Sequence, residues 1–165
     1  MGTFTAIHVL ISLIAIISGF AVIYGLLNAK SLDSWTLLFL FMTAATSVTG
    51  FFLPFHGLSP AIVVGMFSLI VIAAAIFARY VRRLGGIWRK IYVIAALLAL
   101  YLNVFVLVAQ SFQNVPALNA LAPTQSEAPF LIAQLAVLLS FVALTGVALK
   151  RFREKSAQAA GAGRR

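Results

Sequence analysis

The sequence contains no cysteine and only three acidic residues in 165 positions. The first absence removes a disulfide framework, a thiolate nucleophile, an iron–sulfur cluster, a covalently attached c-type haem and a thiolate zinc site together. The second leaves no paired carboxylates within the apolar runs, no buried acid of the kind proton-coupled pumps use, and no acidic ring as in many cation channels. Charge of either sign is scarce, at 9% of residues against about 25% in a soluble domain. No phosphate-cradling glycine loop, no HExxH pair and no internal repeat is present. With no constellation of catalytic residues, the sequence points away from an enzyme.

What is abundant is apolar surface: 63% of residues are hydrophobic and the mean hydropathy is +1.10. A chain this short cannot cover so much apolar material with a polar exterior, so lipid is the expected solvent. Runs long enough to cross a hydrocarbon core of about 30 Å occur at Thr5 to Leu27, Trp35 to Leu53, Ser59 to Tyr80, Trp88 to Gln110 and Pro129 to Leu149. The predicted fold class is therefore all-α. Residues 1–150 form one integral membrane bundle of five transmembrane helices, and residues 151–165 a basic cytoplasmic tail.

Local signals agree. The first run is read as a span and not a signal peptide, because Met1 to Thr5 carries no Lys or Arg and the run is too long. Asp33 or Ser34, Ser59 ahead of Pro60, and Ser126 ahead of Glu127 supply helix starts, and Gly85-Gly86 supplies a stop for the third helix. The tail is expected to continue the fifth helix at first and to be disordered over its last eight residues.

Orientation follows from the cations. Five antiparallel spans put Lys30, the cluster Arg79, Arg82, Arg83, Arg89 and Lys90, and the tail residues Lys150, Arg151, Arg153, Lys155, Arg164 and Arg165 on one side, which accounts for all 12 basic residues. By the positive-inside rule that side is cytoplasmic and the amino terminus lies outside. A four-span count, which demotes the Thr-rich second run, separates Lys30 from the cluster and is disfavoured. The net charge of +9 then reads as a topology signal with attraction for anionic lipid headgroups, and not as nucleic-acid binding. Trp35, Trp88, Tyr24, Tyr80 and Tyr92 fall near the same boundary, as an aromatic belt does. Small pairs four apart, Ala15 with Gly19, Ala21 with Gly25 and Ala95 with Ala99, allow close helix approach.

Polar side chains inside the runs are the candidate functional residues, because lipid gives them no partner. His8 and Ser12 share a face of the first helix, Asn103 and Gln110 nearly share one of the fourth, and Gln134 lies early in the fifth. The second helix adds a stripe of Thr43, Thr46, Ser47 and Gly50. His56, in the turn Pro54 to Leu58, and Glu127 lie at the same end, opposite the cations. The expectation is a polar, outward-facing pocket with His8, Ser12, Asn103, Gln110, Gln134, His56 and Glu127 as ligand-binding residues, holding a small molecule, a lipid or a membrane-protein partner. The same residues serve equally as interhelical hydrogen-bond glue. Two alternatives stay open. One is a redox subunit in which His8 and His56 contact haem b or a quinone, or hold a metal; no cofactor is otherwise implied. The other is a small permease or channel, which the Ala-, Leu-, Ile- and Val-rich inner half of the spans disfavours. The connection Ser111 to Ala128, with an apolar piece between Pro116 and Pro123, is expected to fold over the pocket mouth as a cap.

The stretches TSVTGFFLPFHG (Thr46 to Gly57) and YLNVFVLVAQSFQNVPALNALAPTQSEAPF (Tyr101 to Phe130) resemble those of small, uncharacterised multi-pass inner-membrane proteins of bacteria. The resemblance implies a bacterial inner membrane and no particular reaction.

Overall fold

Helix is the regular structure throughout the computed structural model, which describes residues 2–28, 30, 32–52 and 60–162, with side chains for all of these except 60, 61 and 153–162. No strand occurs among the described residues. The elements are α1 (Thr3–Leu27), α2 (Asp33–Gly50), α3 (Pro60–Ile76) prolonged by a π turn (Phe77–Val81), α4 (Trp88–Asn114), α5 (Pro116–Leu121) and α6 (Ala128–Ala162). Four segments are long and apolar enough to cross a membrane: Thr3–Leu27, Ile62–Val81, Trp88–Asn114 and Ala128–Phe152. α2 is not among them, since it has only 18 residues and carries Asp33, Ser34 and four threonines.

The outward faces are as apolar as the interior. Leu10, Ile17, Phe41, Ile70, Leu139 and Val142 are each more than half exposed, a pattern expected where the surroundings are hydrocarbon. Closeness of approach, not hydrophobicity, therefore distinguishes inside from outside. Ala15, Ala75, Ala78 and Ala99 are fully buried, and α4 forms the hub against which α1, α2, α3, α5 and α6 pack. At Gly19 a Cβ would fall 2.6 Å from Leu100 Cδ1 and 2.9 Å from Phe39 Cε2. Both neighbours are 1% exposed and have nowhere to retreat, so the bare glycine is what lets α1, α2 and α4 meet. With Ile72 and Leu97 these side chains make a packed layer across the bundle.

α1 and α2 lie antiparallel along their whole length. Gly25 faces Leu32 at one end, and at the other Gly50 faces the His8 ring. α3 returns beside α2, tied by the ion pair of Arg79 with Asp33. The bundle thus has a histidine end, where α1 begins and α4 finishes, and a basic end.

Several local expectations change. α2 starts after Leu32 with no side-chain cap, and Asp33 sits in its first turn. The third helix stops before Gly85-Gly86: its π turn spends an extra residue, and the reversal falls on Arg83 (φ 48°) and Leu84 (φ 56°), followed by Gly86 (φ 55°). Tyr92 is buried, at 1% exposed, instead of joining the exposed Trp35, Tyr24 and Tyr80 at the boundary; its hydroxyl lies 3.5 Å from Thr36 Oγ1. α6 continues as helix to Ala162, into the last eight residues expected to be disordered, where Gln158, Ala159, Ala160 and Ala162 are strong helix formers. Ser59, the proposed cap, and residues 163–165 lie outside the described residues.

Candidate functional site

At the histidine end a cavity of ≈ 540 Å³ opens between α1, α2, α3 and α4. On α1 its lining runs from Thr5 to Ile16, a depth of about 16 Å at 1.5 Å per residue. His8, Ser12, Asn103 and Gln110 line it. These are four of the seven residues singled out by sequence. None of the described lining residues is Asp, Glu, Lys or Arg.

Each of these four side chains has a traceable partner. The Thr49 hydroxyl donates to Ala45 O at 2.7 Å and lies 2.8 Å from His8 Nδ1. With the hydroxyl proton so committed, Nδ1–H is the donor of that pair and Nε2 keeps its lone pair. Ser12 donates to His8 O at 2.8 Å, within its own helix. Asn103 Nδ2 donates to Thr43 Oγ1 at 3.1 Å, joining α4 to α2. Gln110 accepts from Asn114 Nδ2 at 3.0 Å, one turn on. Two hydroxyls on the cavity wall, Thr46 Oγ1 and Ser68 Oγ, are buried without a hydrogen-bond partner.

The walls are consequently more apolar than expected. Hydroxyls on a membrane helix turn back to the carbonyl four residues earlier, as Ser12, Ser47 and Thr49 do, so a polar stripe in the sequence exposes few free polar atoms. Leu13, Ile16, Val64, Leu102, Val106 and Leu107 make up much of the remaining lining. The cavity is amphipathic.

The chain matches no protein-family model, no curated protein and no solved structure. The site therefore stands on its own geometry.

The remaining sequence candidates are placed elsewhere. Gln134, 9% exposed, donates from Nε2 to Phe105 O at 3.1 Å; it joins α6 to α4, and its Oε1 is buried without a partner. Glu127 belongs to the turn before α6, where its carboxylate accepts from the Thr124 hydroxyl at 2.9 Å and from the Thr124 and Ser126 N–H groups at 3.2 and 3.1 Å. Desolvation, which would raise the Glu127 pKa, is outweighed by these bonds, and the carboxyl titrates below its ordinary value. His56 lies outside the described residues, so a pairing with His8 for haem, quinone or metal has no geometry to weigh. Among the described residues no three His, Cys, Asp or Glu gather as a metal site.

The connection after α4 does not cover the cavity. α5 folds against the flank formed by α4 and α6, where Phe112, Ala122 and Phe130 make a small core and the two phenyl rings meet edge to face at 5.4 Å. Asn119 Nδ2 donates to Phe112 O at 3.2 Å and Gln125 Nε2 to Ala109 O at 2.6 Å. Residues 109 and 112 lie on the α4 face turned away from the cavity, and of the connection beyond α4 only Val115 reaches the lining. Ser68 and the apolar wall were missed by sequence. A lone hydroxyl in an apolar run was the signal for Ser68; the wall had none, because every face of these helices is apolar.

Proposed function

We propose that the chain is a five-span protein of a bacterial inner membrane, with its amino terminus outside, and that the cavity at the histidine end binds a neutral amphiphile. Its apolar part would fill the space between α1 and α4, and a hydroxyl or amide on its head would meet the polar groups of the wall. The carrying observation is the ≈ 540 Å³ cavity itself: deep, uncharged and mostly apolar, with His8, Ser12, Asn103 and Gln110 among its lining residues. Pockets that take lipid-like molecules combine apolar walls with a few converging polar groups. His8 Nε2 adds an acceptor.

Five spans are supported by α2, which is about 27 Å long at 1.5 Å per residue and is paired with α1 from Leu32 to Gly50. Its threonines dilute its hydropathy, but Thr36 and Thr43 are buried, so lipid does not meet them. Orientation is supported by the gathering of Lys30, Arg79, Arg83 and Arg151 at one end, with contacts among α1, α2, α3 and α6 there, where they would face the anionic cytoplasmic leaflet.

Purification in a neutral detergent, followed by extraction and mass spectrometry of bound molecules, tests the cavity. Ser12→Phe, which fills the space at the cost of one bond within its own helix, is expected to abolish retention of a neutral amphiphile while the protein stays folded. Unchanged retention in that variant would rule the cavity out as the site.

A further inference from the structure

The basic end holds a second cavity, of ≈ 370 Å³, walled by the end of α1, the start of α2, the π turn, α4 and Phe152 of α6. Its polar wall includes Lys30, Asp33, Thr36, Arg79 and Arg83, with Tyr80 and Tyr92 beside them. Three cations face one carboxylate, an excess of positive charge within a small volume. The apolar wall, with Val22, Leu26 and Leu32, continues toward the middle of the bundle.

The cations are held differently. The Arg79 side chain is 11% exposed, is paired with Asp33 and lies over the Tyr92 ring at 5.1 Å, so it is fixed from two sides. Lys30 and Arg83 have no side-chain ion-pair or hydrogen-bond partner among the described residues. Several cations outside the lining are engaged: Arg82 stacks on Trp88 at 5.0 Å, Arg89 on the cavity-lining Phe152 at 5.6 Å, and Arg151 donates to Leu27 O at 3.2 Å.

The backbone that presents Arg83 is unusual as well. The helix carrying Arg79 widens into a π turn, closed by Arg82 N–H to Phe77 O at 3.0 Å. The next two residues, Arg83 and Leu84, are both left-handed, a conformation costly for any residue with a Cβ. Leu84 is held in it by packing against the core. π turns and left-handed non-glycine residues concentrate at binding sites, and here both adjoin one cavity.

We propose that this cavity is a phosphate site, with Arg83 and Lys30 as direct charge partners and Arg79 held beside them by Asp33 and Tyr92. Guanidinium groups match a phosphate's planar pairs of oxygens. The phosphate is that of an anionic lipid headgroup or free phosphate. The apolar part of the wall, which glycerol and the first acyl carbons would cover, favours the lipid. Only the lipid as source depends on the bundle spanning a bilayer, and the cavity at the histidine end is not involved.

The experiment uses the full chain in neutral detergent, titrated with short-chain phosphatidic acid, with phosphatidylcholine of the same chain length and with inorganic phosphate, and followed by thermal stability. Saturable stabilisation by phosphatidic acid alone identifies the lipid; stabilisation by inorganic phosphate as well identifies the free ion. Either result supports the site if Arg83→Gln and Lys30→Gln each weaken binding about tenfold, the loss of a charge-assisted bond, while Lys90→Gln, outside the cavity, does not. Asp33→Asn is expected to tighten binding, because it frees Arg79 and removes a repelling carboxylate. Binding that never saturates, or that Lys90→Gln weakens as much as Arg83→Gln, would overturn the proposal in favour of diffuse surface charge. Circular dichroism of each variant separates lost binding from lost fold, and retained affinity in Arg83→Lys checks the charge role independently of Lys30.

Discussion

The two ends of this bundle solve the same difficulty in opposite ways. Around the cavity at the histidine end the polar side chains are uncharged and mostly satisfied by their own helix: Ser12, Thr49, Ser111 and Asn114 each bond a carbonyl four residues earlier. At the basic end the side chains are charged and reach across elements, as in Arg79 to Asp33 and Arg151 to Leu27 O. A neutral group can use the nearest carbonyl and leave an apolar cavity around it. A cation needs counter-charge, an aromatic face or water, so cations collect where helices end. The proposed ligands, a neutral amphiphile at one end and a phosphate at the other, follow that contrast, and between the two cavities lies the layer of Phe39, Ile72, Leu97 and Leu100, each 1% exposed.

That contrast can be broken at the dividing layer. Gly19→Leu drives a side chain into Leu100 and Phe39 and is expected to cost about 1–3 kcal/mol or more, the largest effect here, read as a lowered unfolding midpoint in detergent. A smaller loss should follow Asn103→Leu, which removes the bond to Thr43. Interhelical bonds of this kind average about 0.6 kcal/mol, and a fall of that size with unchanged amphiphile retention would assign Asn103 to helix pairing. Asp33→Asn sharpens the comparison from the other side. Asp33 is 78% exposed, so its ion pair should be worth only about 0–1 kcal/mol of stability, with a visible effect confined to phosphate affinity. The least effect is expected at Glu127. Its pKa is depressed in the folded state, so its contribution is present above the unfolded value and is lost as pH falls through the lower folded one. Hydrogen exchange at Thr124 to Glu127, corrected for intrinsic rate, should rise only below the ordinary carboxylate value of 4.5; Glu127→Gln should remove that step and leave the bundle intact.

The long elements were legible in the sequence because apolar runs of membrane length have few alternative structures. Most predicted bounds differ from the helices by a few residues, as at α4, which continues past Gln110 to Asn114 through polar residues that a helix tolerates; the exception is α6, which runs past the predicted Leu149 to Ala162. The small pair Ala15 and Gly19 also carried its meaning directly, since a Cβ at Gly19 would meet Leu100 and Phe39. The site was legible only in part. His8, Ser12, Asn103 and Gln110 fall on one cavity, as their shared end and helical spacing suggested. Gln134 and Glu127 have the same residue chemistry but turn to the Phe105 carbonyl and to their own loop. Which of two available acceptors a side chain takes depends on rotamer and neighbouring backbone, and periodicity carries neither. The cap failed for a related reason: Phe112 and Phe130 offered α5 an apolar flank, and nothing in the order of residues distinguishes a flank from a mouth.

Because the chain has no native cysteine, its threading can be measured with single introduced thiols. Labelling Gly2→Cys, Lys30→Cys, Gly85→Cys and Gln113→Cys in intact cells with a membrane-impermeant maleimide tests the arrangement of the two ends directly. The account predicts that positions 2 and 113 react and that positions 30 and 85 react only after the membrane is opened. Reaction of 30 and 85 in different compartments would contradict it, for α2 would then not cross and the two cavities would not face opposite sides.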